Sequence, residues 1–263
     1  RRTSGPSRAR RAMTTDRFDL TGRVAIVTGG SRGLGRAMAL AFADHGADLV
    51  IASRKLENCE TVADEIRAKG RRAIAVAYHA AEWDDAQRLA DAAYDAFDHV
   101  DVLVNNAGMS PLYPSIDAIT EDLFDKVVGV NLKGPFRLSA IVGTRMAAGA
   151  GGSIINVSST ASQKPNPIDV VYAAAKAGVN NLTLGLARTL GPKVRVNCIV
   201  PGPFLTDIAK AWDMEQFERA ARHSFALQRG GQPDEIVGAA LYFASDASSF
   251  TTGSLLNIDG GQH

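Results

Sequence analysis

The sequence predicts an α/β protein built on one doubly wound parallel sheet, and three observations carry that prediction. Short runs rich in β-branched residues are apolar on both faces, stretches of helical periodicity alternate with them, and a glycine-rich turn follows the first run directly. Strands that are apolar on both faces suit a sheet covered by helices on each side and joined by right-handed crossovers.

The elements follow in order. "RVAIVT" (23–28) reads as the first strand, and "GRAMALAFADHG" after the glycines as its helix. A strand at 47–53 and a helix over about 55–69 come next, then a strand at 72–78 and a helix over 84–97. The strand "VDVLVN" (100–105) precedes one long helix around 121–147 and the strand "GSIINVS" (152–158). A helix at 171–190 is expected because alanine, the strongest helix former, spaces its early residues. "VRVNCIV" (194–200), an irregular apolar segment, a helix near 234–244 and "GSLLNID" (253–259) complete about seven strands. No repeat or linker interrupts residues 20–263, so one domain fills them.

Composition narrows the function. Formal net charge is +1, yet residues 1–12 hold Arg1, Arg2, Arg8, Arg10 and Arg11 and no acid. Without them 24 basic residues face 28 acidic ones, so the body is mildly acidic and unsuited to nucleic acid. Residues 1–19 are expected to be a disordered basic extension; a transit peptide or an anion-binding tail is the alternative. No apolar run approaches the ~20 residues of a membrane span. Cys59 and Cys198 lack metal-type spacing, and neither they nor the five histidines form a ligand set, so no metal is expected. Two separate cysteines fit buried thiols in a reducing compartment, and a cytoplasmic location is expected.

"VTGGSRGLGRAMA" joins the first strand to its helix. Gly29, Gly33 and Gly35, with Ser31, Arg32 and Leu34 between them, allow a tight turn and close approach of a pyrophosphate to the helix N-terminus. The spacing departs from G-x-G-x-x-G, so position after the first strand is what gives the cluster weight and makes the fold Rossmann-type. At the end of the second strand a carboxylate would receive a ribose 2′-hydroxyl; this chain has Ser53, Arg54 and Lys55. Arg54 and Arg32 suit a 2′-phosphate, which favours NADP(H) over NAD(H).

"YAAAK" places Tyr172 and Lys176 four residues apart, on one helical face. A phenol with a pKa near ~10 is a poor acid or base at neutral pH. A neighbouring ammonium, and a cationic nicotinamide ring when oxidised cofactor is bound, favour the phenolate, so Tyr172 can exchange a proton with a substrate oxygen while hydride moves at the adjoining carbon.

With these motifs the chain resembles the short-chain dehydrogenase/reductase family over residues ~20–261. It carries "TGGSRGLG" (28–35), "NNAG" (105–108), "NLKG" (131–134), "NVSS" (156–159), "YAAAK" (172–176) and "PGPFLTD" (201–207) in matching order. The resemblance implies that Ser159 holds the substrate oxygen, with Ser158 the rival one residue away. It also implies that Tyr172 is the acid/base and that Lys176 binds the nicotinamide ribose and lowers the tyrosine pKa. Asn131 supports a water chain to that lysine, and Asn105 opens the turn of Asn106, Ala107 and Gly108 beside the cofactor. Pro201, Gly202 and Thr206 match the segment over the nicotinamide, although Thr206 is equally a plain loop hydroxyl. The chain departs from the family where many relatives have an aspartate near adenine: here His79 stands there.

The segment from Phe204 to Gly231 is expected to form a lid with short helices, made apolar by Phe204, Trp212, Met214, Phe217 and Phe225. These side chains either line a pocket, pack the lid on the body or fill a subunit interface. "MSPLYPSI" (109–116) and "SQKPNPIDV" (162–170) form the other walls. An apolar ketone, a 3-oxoacyl thioester or a secondary alcohol is the expected substrate; a sugar-acid or polyol dehydrogenase using NAD(H) is the alternative. Resemblance further implies a homotetramer, with the helices near 121–147 and 171–190 pairing across one interface. A nucleotide-sensing protein without chemistry, or another reaction on the same fold, is the remaining reading.

Overall fold

The computed structural model describes residues 16–262 except 208, 210 and 211. Arg1, Arg2, Arg8, Arg10 and Arg11 lie outside the described residues. From Asp16 onward the chain is already attached: Leu20 is fully buried and its amide donates to His45 O at 2.8 Å.

Seven parallel strands form a single sheet. They are β1 (Val24–Thr28), β2 (Asp48–Ser53), β3 (Ala73–Ala77), β4 (Val102–Asn105), β5 (Gly152–Val157), β6 (Val194–Pro201) and β7 (Leu255–Ile258), in the order β3-β2-β1-β4-β5-β6-β7. Order reverses between β1 and β4, and the carboxyl ends of those strands frame the crevice where such sheets bind ligands.

Alternation along each strand feeds two cores. Ala25 and Val27 of β1 pack with Leu49, Ile51, Met38, Phe42 and Phe243, on the side of α1 (Gly33–Asp44). Val24 and Ile26 pack on the opposite face with Val50, Leu103, Leu89 and Leu138. Truncating Phe42 or Leu138 to alanine would cost about 3–5 kcal/mol by cavity formation. Beyond α1, the layers are completed by α2 (Leu56–Ala68) and α3 (Trp83–Phe97).

The long helix expected around 121–147 is instead α4 (Glu121–Val128), a π-helical segment (Gly129–Lys133) and α5 (Gly134–Ala148). The widening has a local cause. Asn131 Nδ2 donates to Val127 O at 2.9 Å and so competes for a helical acceptor. Gly134 passes so close to Ala80 that a Cβ would stand 2.2 Å from Ala80 O. Widened turns of this kind are often found at functional sites.

The remaining helices are α6 (Val170–Leu190), α7 (Met214–Ser224) within the expected lid, and α8 (Val237–Ala244). The start predicted near 234 is a short 3₁₀ turn, Pro233–Ile236, fixed by a capping box between Gln232 and Glu235. No helix among the described residues is long and apolar enough to cross a membrane.

Candidate active site

The cofactor end of the crevice is built by steric exclusion. Gly29 and Gly33 adopt left-handed φ values of 62° and 53°. A Cβ on Gly35 would stand 2.3 Å from Gly29 O and 2.5 Å from Asn106 Nδ2. Arg32, at the N-cap of α1, is extended and offers no capping side chain, and the first turn has no acid. The amides there remain available to an anion, so glycine cradle and helix terminus together fit a dinucleotide pyrophosphate.

Thr28, which sequence reasoning passed over beside the glycines, locks this turn to the next one. Its Oγ1 donates to Val104 O and accepts from the amides of Asn106 (3.0 Å) and Ala107 (3.1 Å). Asn106 Nδ2 donates back to Thr28 O at 3.0 Å. Below it, Asn105 Nδ2 donates to Ser139 Oγ and Asn156 Oδ1, and Asn156 Nδ2 donates to Thr183 Oγ1. This buried polar ladder joins β4 and β5 to α5 and α6, and every bond in it is 2.8–2.9 Å. Only the hydroxyl of a threonine ending a strand hints at such a lock in the sequence.

At the end of β2, Ser53 Oγ donates to Ser31 Oγ at 3.0 Å. Arg32 and Arg54 flank that contact, exposed and without an ion-pair partner among the described residues. Arg36, also facing this side, is instead tied to Glu65. His79 donates its amide to Asp85 Oδ2 at 2.9 Å and leaves its ring half-exposed. Burial raises the Asp85 carboxyl, but Arg88 and the His79 amide outweigh it and hold the group below the usual range.

Ser159, Tyr172, Lys176 and Asn131 converge at the carboxyl ends of β4 and β5. Ser158 spends its hydroxyl on Lys176 O at 3.0 Å, whereas the Ser159 side chain hydrogen-bonds the Tyr172 phenol. Ser159, and not Ser158, therefore faces the Tyr172 phenol. Asn131 is fully buried, accepts from Met109 N at 3.2 Å and donates to Met109 O at 2.8 Å. Gly108 lies between the two polar ends: a Cβ there would be 3.1 Å from Asn131 Oδ1 and 3.5 Å from Lys176 Nζ.

Burial adds a second influence on Tyr172 in the protein alone. Burial pushes the phenol above its ordinary value, the Ser159 hydrogen bond lowers it, and the negative charge of Asp169 adds to the rise. Lys176 Nζ donates to Val157 O at 2.8 Å and stands 5.8 Å from the Tyr172 ring centroid. Burial also depresses the lysine from 10.5 to about 8, so its charge is itself costly here. Desolvation thus dominates the Tyr172 phenol in the protein alone.

The lid resolves another alternative. Phe204 is buried in the core and packs on Gly231, whose Cβ would meet the ring at 2.9 Å. Trp212, Phe217 and Phe225 stack in a row with centroids 5.0 and 6.1 Å apart. The aromatic residues fasten the lid; Leu205, Thr206 and Met214 face Gly33 and Arg36 across a cleft of ≈ 480 Å³. Thr206 approaches the glycine turn, its Cβ 3.5 Å from where Gly33 would carry one. Pro201 ends β6, and Gly202 donates its amide to Ile258 O while passing against Asp259.

Comparison with known proteins agrees with this geometry. A family model described as Enoyl-(Acyl carrier protein) reductase matches residues 29–263. The chain is 41% identical over 251 residues to an uncharacterized oxidoreductase of Mycobacterium tuberculosis, covering 95% of each chain. It is 38% identical to an L-rhamnose 1-dehydrogenase (NAD(P)(+)) of Azotobacter vinelandii, with 92% of this chain and 97% of that one covered. Among solved structures, a 7α-hydroxysteroid dehydrogenase complexed with NADH and 7-oxo glycochenodeoxycholic acid superposes with a TM-score of 0.90. That protein is 33% identical, and the match covers 95% of this chain and 98% of its own. The glycine cradle, the parallel sheet and these relatives lead to one conclusion: the chain is an oxidoreductase of the short-chain dehydrogenase/reductase family.

Proposed function

We propose that the protein interconverts a carbonyl and a secondary alcohol with NADP(H), Tyr172 being the general acid/base. The observation that carries this reading is the contact of Ser159 with the Tyr172 phenol above a buried Lys176. The nicotinamide supplies or accepts the hydride. Ser159 donates a hydrogen bond to the substrate oxygen, and Tyr172 Oη gives that oxygen a proton during reduction or takes one during oxidation. Lys176 holds positive charge below the ring, and Asn131 anchors the loop of Met109 beside it. A phenol raised by burial is protonated at neutral pH but a weaker acid, so proton transfer in either direction calls for added positive charge beside it.

NADP(H) is the proposed cofactor because Arg32 and Arg54 stand unpaired beside the Ser31–Ser53 contact. An apolar ketone, alcohol or 3-oxoacyl thioester is the proposed substrate class. Its support is the wall beside Tyr172, made by Pro111, Ile119, Leu123, Val127 and Val171. A homotetramer is proposed from the exposed Phe124, Phe136 and Leu184 on α4, α5 and α6; a micromolar monomer in sedimentation would contradict it. Two free buried thiols suit the reducing cytoplasm.

The test is Tyr172→Phe assayed by NADPH absorbance against a panel of ketones, acyl thioesters and alcohols. Turnover should fall about 100-fold or more while NADPH affinity holds. Retained turnover would remove Tyr172 from the mechanism.

A further inference from the structure

Tyr113, on one substrate wall, commits its hydroxyl twice to the other. The amide of Val170 donates to Tyr113 Oη at 2.8 Å, and the same hydroxyl donates to Pro167 O at 3.2 Å. Val170 is the first residue of α6, and its amide is one that an α-helix leaves unpaired. The natural capping candidate, Asp169, does not serve it. That carboxylate accepts from Asn166 N at 3.0 Å instead and makes no bond to the helix. A side chain distant in sequence therefore caps the helix that carries Tyr172 two residues further on.

The ring of Tyr113 matters as well. It lines the same small cavity as Tyr172, between Pro111 and Val171. Segment 109–116 and segment 162–170 flank the Tyr172 hydroxyl, with Leu112, Ile116 and Ile168 exposed on their outer faces. Other side-chain fastenings tie each segment to the body: Met109 to Asn131, Ser162 to Asn180, Gln163 to Asn257 and Lys164 to Gln262. The Tyr113 hydroxyl directly joins the two walls.

We propose that Tyr113 is a positioning residue: its hydroxyl clasps the two loops at the start of α6 and thereby sets the width of the substrate mouth and the placement of Tyr172. This assignment rests on the carbonyl–alcohol reading of the site. A phenylalanine keeps the ring and removes both bonds, so the effect belongs to the hydroxyl alone. Loss of one or two neutral hydrogen bonds corresponds to roughly a five- to tenfold change in an equilibrium constant.

The experiment compares wild type with Tyr113→Phe, using the panel substrate that wild type turns over best. In the variant, KM for that substrate should rise roughly five- to tenfold with a smaller change in kcat. NADPH affinity should stay within about twofold, and the Val170 amide should exchange hydrogen faster. Unchanged KM overturns the assignment, as does a raised KM with Val170 exchange unaltered. An equal loss of NADPH affinity also overturns it, because a general loosening would then be the cause. A wild type that binds NADPH but turns over no member of the panel fails differently: it contradicts the carbonyl–alcohol reading itself, and the kinetic role of Tyr113 falls with it.

Discussion

The two ends of the crevice are held together by different means. At the cofactor end, backbone meets backbone: Gly35 faces Gly29 O, Thr28 bonds the amides of Asn106 and Ala107, and nothing larger than hydrogen fits between them. At the substrate end, side chains reach across loops: Tyr113 to Val170, Gln163 to Asn257, and a row of aromatic rings pinning the lid. The first arrangement fits a dinucleotide, the kind of cofactor bound in the hydroxysteroid dehydrogenase structure. The second can be rebuilt without disturbing the sheet, which accords with relatives named for substrates as unlike as L-rhamnose and a 7-oxo bile acid conjugate.

The sharpest way to break that contrast is to fill the cradle. Gly35→Ala puts a methyl group against backbone that cannot yield, and NADPH affinity should fall about 100-fold by calorimetry. An affinity within threefold of wild type would show that close backbone packing is not what shapes the pocket.

Lys176 sits where the two ends meet, and its effect is read as stability against pH. Its folded-state value of about 8 lies below the ordinary 10.5, so the folded protein sheds this proton earlier than the unfolded chain. Below about pH 8 both states hold the proton and the buried charge costs its full penalty. Between about 8 and 10.5 the unfolded chain binds more protons, and stability rises with pH. Relative to Lys176→Met, wild type should gain about 2–3 kcal/mol across that window in denaturant unfolding. A flat difference would mean that the ammonium is well solvated.

Arg54→Asp comes next in size. Removing a guanidinium and adding a carboxylate should weaken NADPH about tenfold to thirtyfold and leave NADH nearly unchanged. Equal losses for both would show that Arg54 does not distinguish them. The smallest expected effect lies at the substrate end. Asp169 raises the Tyr172 phenol, so Asp169→Asn should move the alkaline-favoured limb of alcohol oxidation about half a unit toward lower pH. A shift in the opposite direction would exclude a through-space influence of that carboxylate.

The same contrast governs what could be read from sequence. The strands and the glycine turn were legible because burial on both faces and left-handed φ values restrict residue choice locally. The widened turn at Asn131 was not, because it depends on the Asn131 side chain bonding Met109 O and competing for Val127 O, a helical acceptor. A smooth helical pattern over 121–147 carries no trace of that competition. The lid aromatics were legible as apolar but not as fasteners, since Gly230 and Gly231 create their sockets from a distance of many residues. The candidate catalytic residues were picked out by their order along the chain, but the burial that raises Tyr172 in the protein alone was not legible there. A YxxxK spacing shows the cation and hides the desolvation that accompanies it.

The central claim is that charge at the base of the crevice decides when the Tyr172 phenol gives up its proton. Ultraviolet difference titration, with Tyr172→Phe as the blank, measures this in wild type and in Lys176→Met, each with and without NADP⁺. The account predicts a phenol titrating above its ordinary value of ~10 in the protein alone and at least about one unit lower once NADP⁺ is added to wild type, with a smaller drop in Lys176→Met. A Tyr172 titration that neither the cofactor nor the lysine moves would contradict it.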